Sequence, residues 1–165
     1  MPDTRVLCCV LGVSALALAC VAPSGSARLR LQVSVAADAN LDRPIPVDLV
    51  FVWDKKTAGK LEALTAKDWF DRKSQFRQED PTERALAIRE WEWVPGQAVP
   101  DIDMSVKAAA RRWLQAIFVF ANYRTDGPHR FRLSPGSANL QLLREDASVL
   151  KTDQAEKAPL KETRN

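Results

Sequence analysis

The chain has 165 residues, 46% of them hydrophobic and 27% charged, with a formal net charge of +3, which fits one domain with a real apolar core. Lys and Arg alternate with Asp and Glu along most of the chain rather than clustering, so no nucleic-acid footprint is visible. The three cysteines, Cys8, Cys9 and Cys20, all fall in the first twenty residues and there is a single histidine, His129; a disulfide framework, a thiolate zinc site and most hydrolase or metalloenzyme arrangements are excluded, and no cofactor or catalytic role is expected.

Met1 to Arg5 is short and polar with one basic residue, and Val6 to Ala19 is an uninterrupted apolar or small stretch, the layout of a secretory signal peptide over residues 1–19. Its apolar run of roughly 14 residues falls short of the about 20 that a helix needs to cross a bilayer, so a permanent transmembrane anchor is the poorer account. Leu16-Ala17-Leu18-Ala19-Cys20 resembles the lipobox of bacterial lipoproteins, in which small residues precede a cysteine that takes a diacylglyceryl group. That resemblance implies lipidation at Cys20; ordinary cleavage after Ala19 or Ala27 is the alternative. Several acyl chains give stable anchoring where one is marginal. Val21 stands where aspartate would signal inner-membrane retention, which points to the outer membrane. Residues 20–27, small and containing Pro, Gly and Ser, read as a lipidated flexible tether.

The domain is expected over residues 28–145. Leu29, Leu31, Val33 and Val35 alternate with Arg30, Gln32 and Ser34, the period of a half-buried strand, and Asp38 to Pro44 supplies loop chemistry before a second apolar run, Val47 to Trp53. Thr65-Ala66-Lys67-Asp68 has the form of a capping box, predicting a short helix over Ala66 to Phe76. Leu86 to Trp93 reads as a strand, although Glu90 and Glu92 share an alternating face with Leu86 and Ile88; Pro95-Gly96 closes it with a turn. Ile102, Met104 and Val106 alternate with polar residues, and Leu114 to Ala121 reads as a central strand buried on both faces. Lys107 to Trp113 is compatible with either helix or strand, since three alanines stand together there. Phe131 and Leu133, then Leu140 and Leu142, mark two last short strands, and the polar residues 146–165 read as a disordered tail. Short strands separated by turns, with one short helix, predict a mainly β protein, a two-sheet β-sandwich.

In order, these segments resemble the outer-membrane lipoprotein of type VI secretion systems, the TssJ family. The resemblance is carried by Asn40-Leu41-Asp42-Arg43-Pro44-Ile45-Pro46-Val47 leading into the second strand, by the helical Leu64 to Phe70, by Val94-Pro95-Gly96, and by the apolar strand running to Tyr123-Arg124. His129-Arg130-Phe131 departs from the Trp-Arg usual in the family. The resemblance implies a transthyretin-like sandwich on the periplasmic face of the outer membrane. It would scaffold the secretion membrane complex by docking the periplasmic domain of a large inner-membrane secretion protein through the loop between its first two strands, with Asp38, Asn40, Asp42 and Arg43 as contacts. Asn40 and Asp42 have a second reading, as residues that bond their own backbone to shape the turn.

Among other candidates, Trp53, Trp69, Trp91, Trp93 and Trp113 suit a core better than a ligand surface, with Trp91 and Trp93 the best placed for exposure because glutamates interleave with them. His129, beside Pro128 and Arg130, reads as an exposed loop histidine, with a base or pH switch as the lesser reading. Asp101 and Asp103 share a solvent face where a weak cation site is the lesser reading. The alternative to scaffolding is a lipoprotein that carries a small ligand or chaperones another envelope protein, which needs a concave apolar pocket.

Overall fold

The computed structural model describes residues 26–107 and 113–151. Residues 1–25, which include the expected signal peptide, Cys20 and most of the expected tether, and the alanine-rich segment 108–112 lie outside them. Two four-stranded sheets form. One has the order β4-β1-β7-β8, from β4 (Ile102–Lys107), β1 (Ser26–Val35), β7 (Gly136–Leu142) and β8 (Ala147–Lys151); the other has the order β3-β2-β5-β6, from β3 (Leu86–Trp93), β2 (Ile45–Val52), β5 (Ala116–Ala121) and β6 (Arg130–Leu133). All pairings are antiparallel except that of β1 with β7. β1 already begins at Ser26, two residues before the end of the expected tether.

Alternation sorts the side chains between two cores. Leu29 and Leu31 of β1 meet Val47, Leu49 and Phe51 of β2, Ile117 and Val119 of β5 and Leu140 and Leu142 of β7 between the sheets. The other faces of β2 and β5, carrying Val50, Val52, Phe118 and Phe120, are buried a second time, under helix α3 (Ala66–Glu79). β5 is therefore a central strand buried on both faces. The Thr65 capping box forms in full: Thr65 Oγ1 accepts from the Asp68 amide, and the Asp68 carboxylate, held below its usual range by the hydroxyl and amide of Thr65, accepts in return. Helix α2 (Lys55–Glu62) is an addition to the one helix that the sequence predicts; Asp54 caps it, and Leu61 is its one buried residue among those described.

The mixed face of β3 now has a cause. Leu86 and Ile88 pack under α3, while Glu90, next on that face, takes Lys73 and Arg77 from the helix. Lys73 lies in the buried stripe Ala66, Trp69, Phe76 and also reaches Asp48 on β2 at 3.1 Å, where Trp69 Nε1 donates at 2.9 Å. Burial pushes the Asp48 carboxyl up, against the bonds from Trp69 and Lys73. For Lys73 burial acts the other way, and the bonds it donates to Glu90 and Asp48 outweigh it and raise the ammonium.

Two expectations are corrected, for residues 147–151 and for Trp113, while Trp93 takes the core place expected of it. Residues 147–151 are strand β8 rather than the start of a disordered tail, because Ala147 and Val149 alternate inward onto the sandwich core and β7 pairs with them. Trp93 is buried: its strand face is the sandwich side, opposite to that of the glutamates, and Trp91 stacks on it half-buried at 5.7 Å. Trp113, expected in the core, is 66% exposed.

Candidate interaction site

One end of the sandwich collects the connections between strands. The β1–β2 connection holds α1 (Ala39–Asp42), a single turn whose Asn40, Leu41 and Asp42 all have positive φ, at 50°, 55° and 61°. L-residues enter that left-handed region at a cost of about 1–2 kcal/mol each, and Asn does so most readily. Neighbouring chain holds the turn in place. The amides of Asn40 and Leu41 donate to the carbonyls of Leu143 and Arg144 in the β7–β8 turn, each at 3.1 Å. The Asn40 side chain is 2% exposed. Its amide nitrogen donates to the Pro44 carbonyl at 2.9 Å, and its oxygen accepts from the Arg124 amide in the β5–β6 connection at 2.9 Å. On the other flank, the Gly96 amide of the β3–β4 turn donates to Ala36 O at 3.0 Å. Gly96 has φ +71°, and a Cβ there would meet Ala37 Cα at 3.7 Å.

The four residues expected to contact a partner thus have different situations. Asp42 and Arg43 are exposed on the turn. Asp38 is half-buried and ion-paired with Arg144 at 3.5 Å. Asn40 points inward as a structural tie, its second reading realised with one partner close in sequence and one 84 residues away. Sequence reasoning missed the exposed apolar residues beside the turn, Leu143 at 44% and Val94 at 49%, and the exposed Arg124. Leu143 and Arg124 come from parts of the chain that only the fold brings to α1.

His129 is corrected from exposed to buried, at 5%. It lies where β5–β6 connects to the β7–β8 turn, with Nδ1 2.8 Å from Asp146 and Nε2 2.8 Å from the Thr125 carbonyl. Tyr123 stacks on it, and burial raises the Tyr123 phenol, with the Leu143 backbone opposing. Beside this junction lies a cleft of about 500 Å³ between the first turns of α3 and the β5–β6 connection, lined on one wall by Lys67, Phe70 and Asp71 and on the other by Arg124 and Asp126. Asp101 is held below its usual range by Arg30, which donates to it at 2.9 and 3.2 Å, with Gln32 assisting; this pairing supplies the charge that a cation would. Among the described residues no cluster of three His, Cys, Asp or Glu is placed to hold a metal, and no helix is long and apolar enough to cross a membrane.

No protein-family model and no curated protein sequence matches the chain. Its fold does match solved structures. Lip from Serratia marcescens, a membrane-bound component of the type VI secretion system, superposes with a TM-score of 0.52 at 14% identity over 76% of this chain and 97% of that one. The type VI lipoprotein TssJ1 from Pseudomonas aeruginosa gives 0.50 at 13% identity over 78% and 96%. A chain of a type VI membrane complex gives 0.52 at 10% identity over 78% and 100%. The β-sandwich read from the sequence is therefore present, and it is the fold of these type VI secretion proteins.

Proposed function

We propose that this chain is a lipoprotein anchored through Cys20 on the periplasmic face of the outer membrane. There it scaffolds a type VI secretion membrane complex by docking the periplasmic domain of a large inner-membrane protein with the α1 end of the sandwich. The observation that carries the reading is the polarity of β1. The strand starts at Ser26, just after the tether, and ends at Val35, where the α1 turn begins. At about 3.3 Å per residue its ten residues separate anchor and docking end by roughly 30 Å. A body with lipid at one pole and rigid, exposed loops at the other is suited to bridging a membrane and a partner.

The composition of the α1 end supports the same reading. Exposed Leu143 and Val94 offer apolar burial, while Asp42, Arg43 and Arg124 around them set orientation and partner choice. Asp38 and Asn40 shape the turn and contribute to docking through its geometry. Carriage of a ligand between the sheets finds its space taken, because that interior is filled by buried Leu, Val, Ile, Phe and Trp side chains.

The test has two arms. Cys20→Ser should move the protein from the outer-membrane fraction to the soluble periplasm. Separately, Asp42→Ala with Arg43→Ala should abolish co-purification of the inner-membrane partner while the protein stays folded and membrane-bound. Retention of the partner by that double variant places docking on another surface.

A further inference from the structure

His129 sits in a cage in which each polar neighbour of its ring is an acceptor. Its backbone is held at φ +39°, Tyr123 stacks on the ring at 5.0 Å, and Gly127 approaches so closely that a Cβ there would lie 2.8 Å from ring atoms. Nδ1 faces Asp146 Oδ1 at 2.8 Å, and that same oxygen accepts from the Ala147 amide at 2.7 Å, which marks it as an acceptor. Nε2 faces the Thr125 carbonyl at 2.8 Å. Thr125 Oγ1, at 3.5 Å from Nε2, gives its own hydrogen to the Glu145 carbonyl and so offers the ring only lone pairs.

A neutral imidazole carries one N–H and can serve one of these two directions; the imidazolium serves both. When the proton leaves to water, either Asp146 or the Thr125 carbonyl loses its donor and faces a ring lone pair instead. The other charged or titratable groups around the ring are Glu145 in the same turn as Asp146, Tyr123, Arg124 and Asp126 in its own connection, and Lys67 and Asp71 on α3 across the shared cleft. Asp146 is the one among them that the ring bonds directly.

The two segments that the ring joins are the two that hold α1. The β7–β8 turn accepts from the amides of Asn40 and Leu41, and the Arg124 amide donates to the Asn40 side chain. We propose that protonated His129 is the pin that locks the β5–β6 connection to the β7–β8 turn, and that its deprotonation loosens the α1 end, making the geometry of that end respond to pH. The pin needs no partner to exist. Only its consequence, docking that weakens as pH rises, rests on the function proposed above.

The experiment is NMR on the full-length protein in detergent, without any partner, following the His129 ring nitrogens and backbone amides across the interval of about pH 5 to 8 in which histidines change charge. The expected result is two protonated ring nitrogens at the acid end. As the ring titrates, the amides of Asn40, Leu41 and Arg124 should shift with the same midpoint, and their hydrogen exchange, corrected for intrinsic pH dependence, should quicken by about tenfold. Asp146→Ala leaves the ring in place and removes the Nδ1 partner, so these amides should already exchange fast at the acid end. A single protonated nitrogen throughout, amides indifferent to the ring's titration, or an unchanged pH response in Asp146→Ala would each overturn the pin. Loss of docking with an intact pin would instead count against the proposed function alone.

Discussion

The helix-covered side of the β3-β2-β5-β6 sheet and the α1 end are both built around a buried polar side chain, and they use it in opposite ways. Beneath α3, Asp48 is surrounded by a continuous apolar layer in which Trp69 stacks on Phe120 at 4.9 Å and packs against Phe76. The ion pairs there add register to an association that burial already provides. At the α1 end Asn40 is as buried as Asp48, yet what surrounds it is backbone: two amides given to the β7–β8 turn, one received from Arg124 and one side-chain bond to Pro44. Burial fixes the first region over a wide area. The second is fixed at points, and its outer surface carries exposed charged and apolar side chains.

Substitutions should separate the two regions. The largest effect is expected from Trp69→Ala, which opens a cavity beneath α3 and leaves Asp48 with Lys73 as its remaining side-chain donor. Denaturant unfolding should show a loss of about 4 kcal/mol. At the other region Asn40→Ala removes both side-chain bonds and places a less tolerant residue at positive φ, for a loss of about 2–3 kcal/mol. Asn40→Gly loses the same bonds but tolerates the left-handed backbone, so it should recover about 1 kcal/mol of that loss. Equal losses for the two would show that the turn's dihedrals are unimportant.

Acid sharpens the comparison further. Glu90 is held below the ordinary glutamate value of 4.5 by Lys73 and Arg77, so the stability it contributes is present above that value and lost as pH falls through the lowered one. Asp48, raised by burial, has the opposite sign and favours the folded state as it takes up a proton. Glu90→Gln should therefore flatten the acid loss seen by thermal unfolding below about pH 4.5, by less than 1 kcal/mol because the carboxylate is partly exposed. The smallest change is expected from Asp101→Asn, whose partner Arg30 is solvent-exposed. Its melting temperature should match that of the unmodified protein at physiological salt.

The same contrast explains what the sequence made legible. Period-two alternation exposed β1 and β4, continuous apolar runs exposed β2 and β5, and the Thr65–Asp68 box marked the start of α3, because each depends on residues a few positions apart. Helix α2 escaped notice because Leu61 alone among its described residues is buried, leaving no stripe to detect. Strand β8 was hidden by polar neighbours around two inward residues, Ala147 and Val149. Sequence patterning located the β1–β2 connection, but could not show that Asn40 turns inward or that Leu143 and Arg124 flank it, since those neighbours come from distant chain. His129 was read as exposed for the same reason: Asp146, which its ring bonds, is 17 residues away.

In the proposed scaffold the docking surface is the α1 end, opposite the start of β1. A photo-crosslinking amino acid placed at Asp42 tests it directly in intact envelopes, against the same probe at Ser105 on the exposed face of β4. The account predicts a crosslink from position 42 to the periplasmic domain of the inner-membrane secretion protein and none from position 105. A crosslink from 105 with silence at 42 would contradict it.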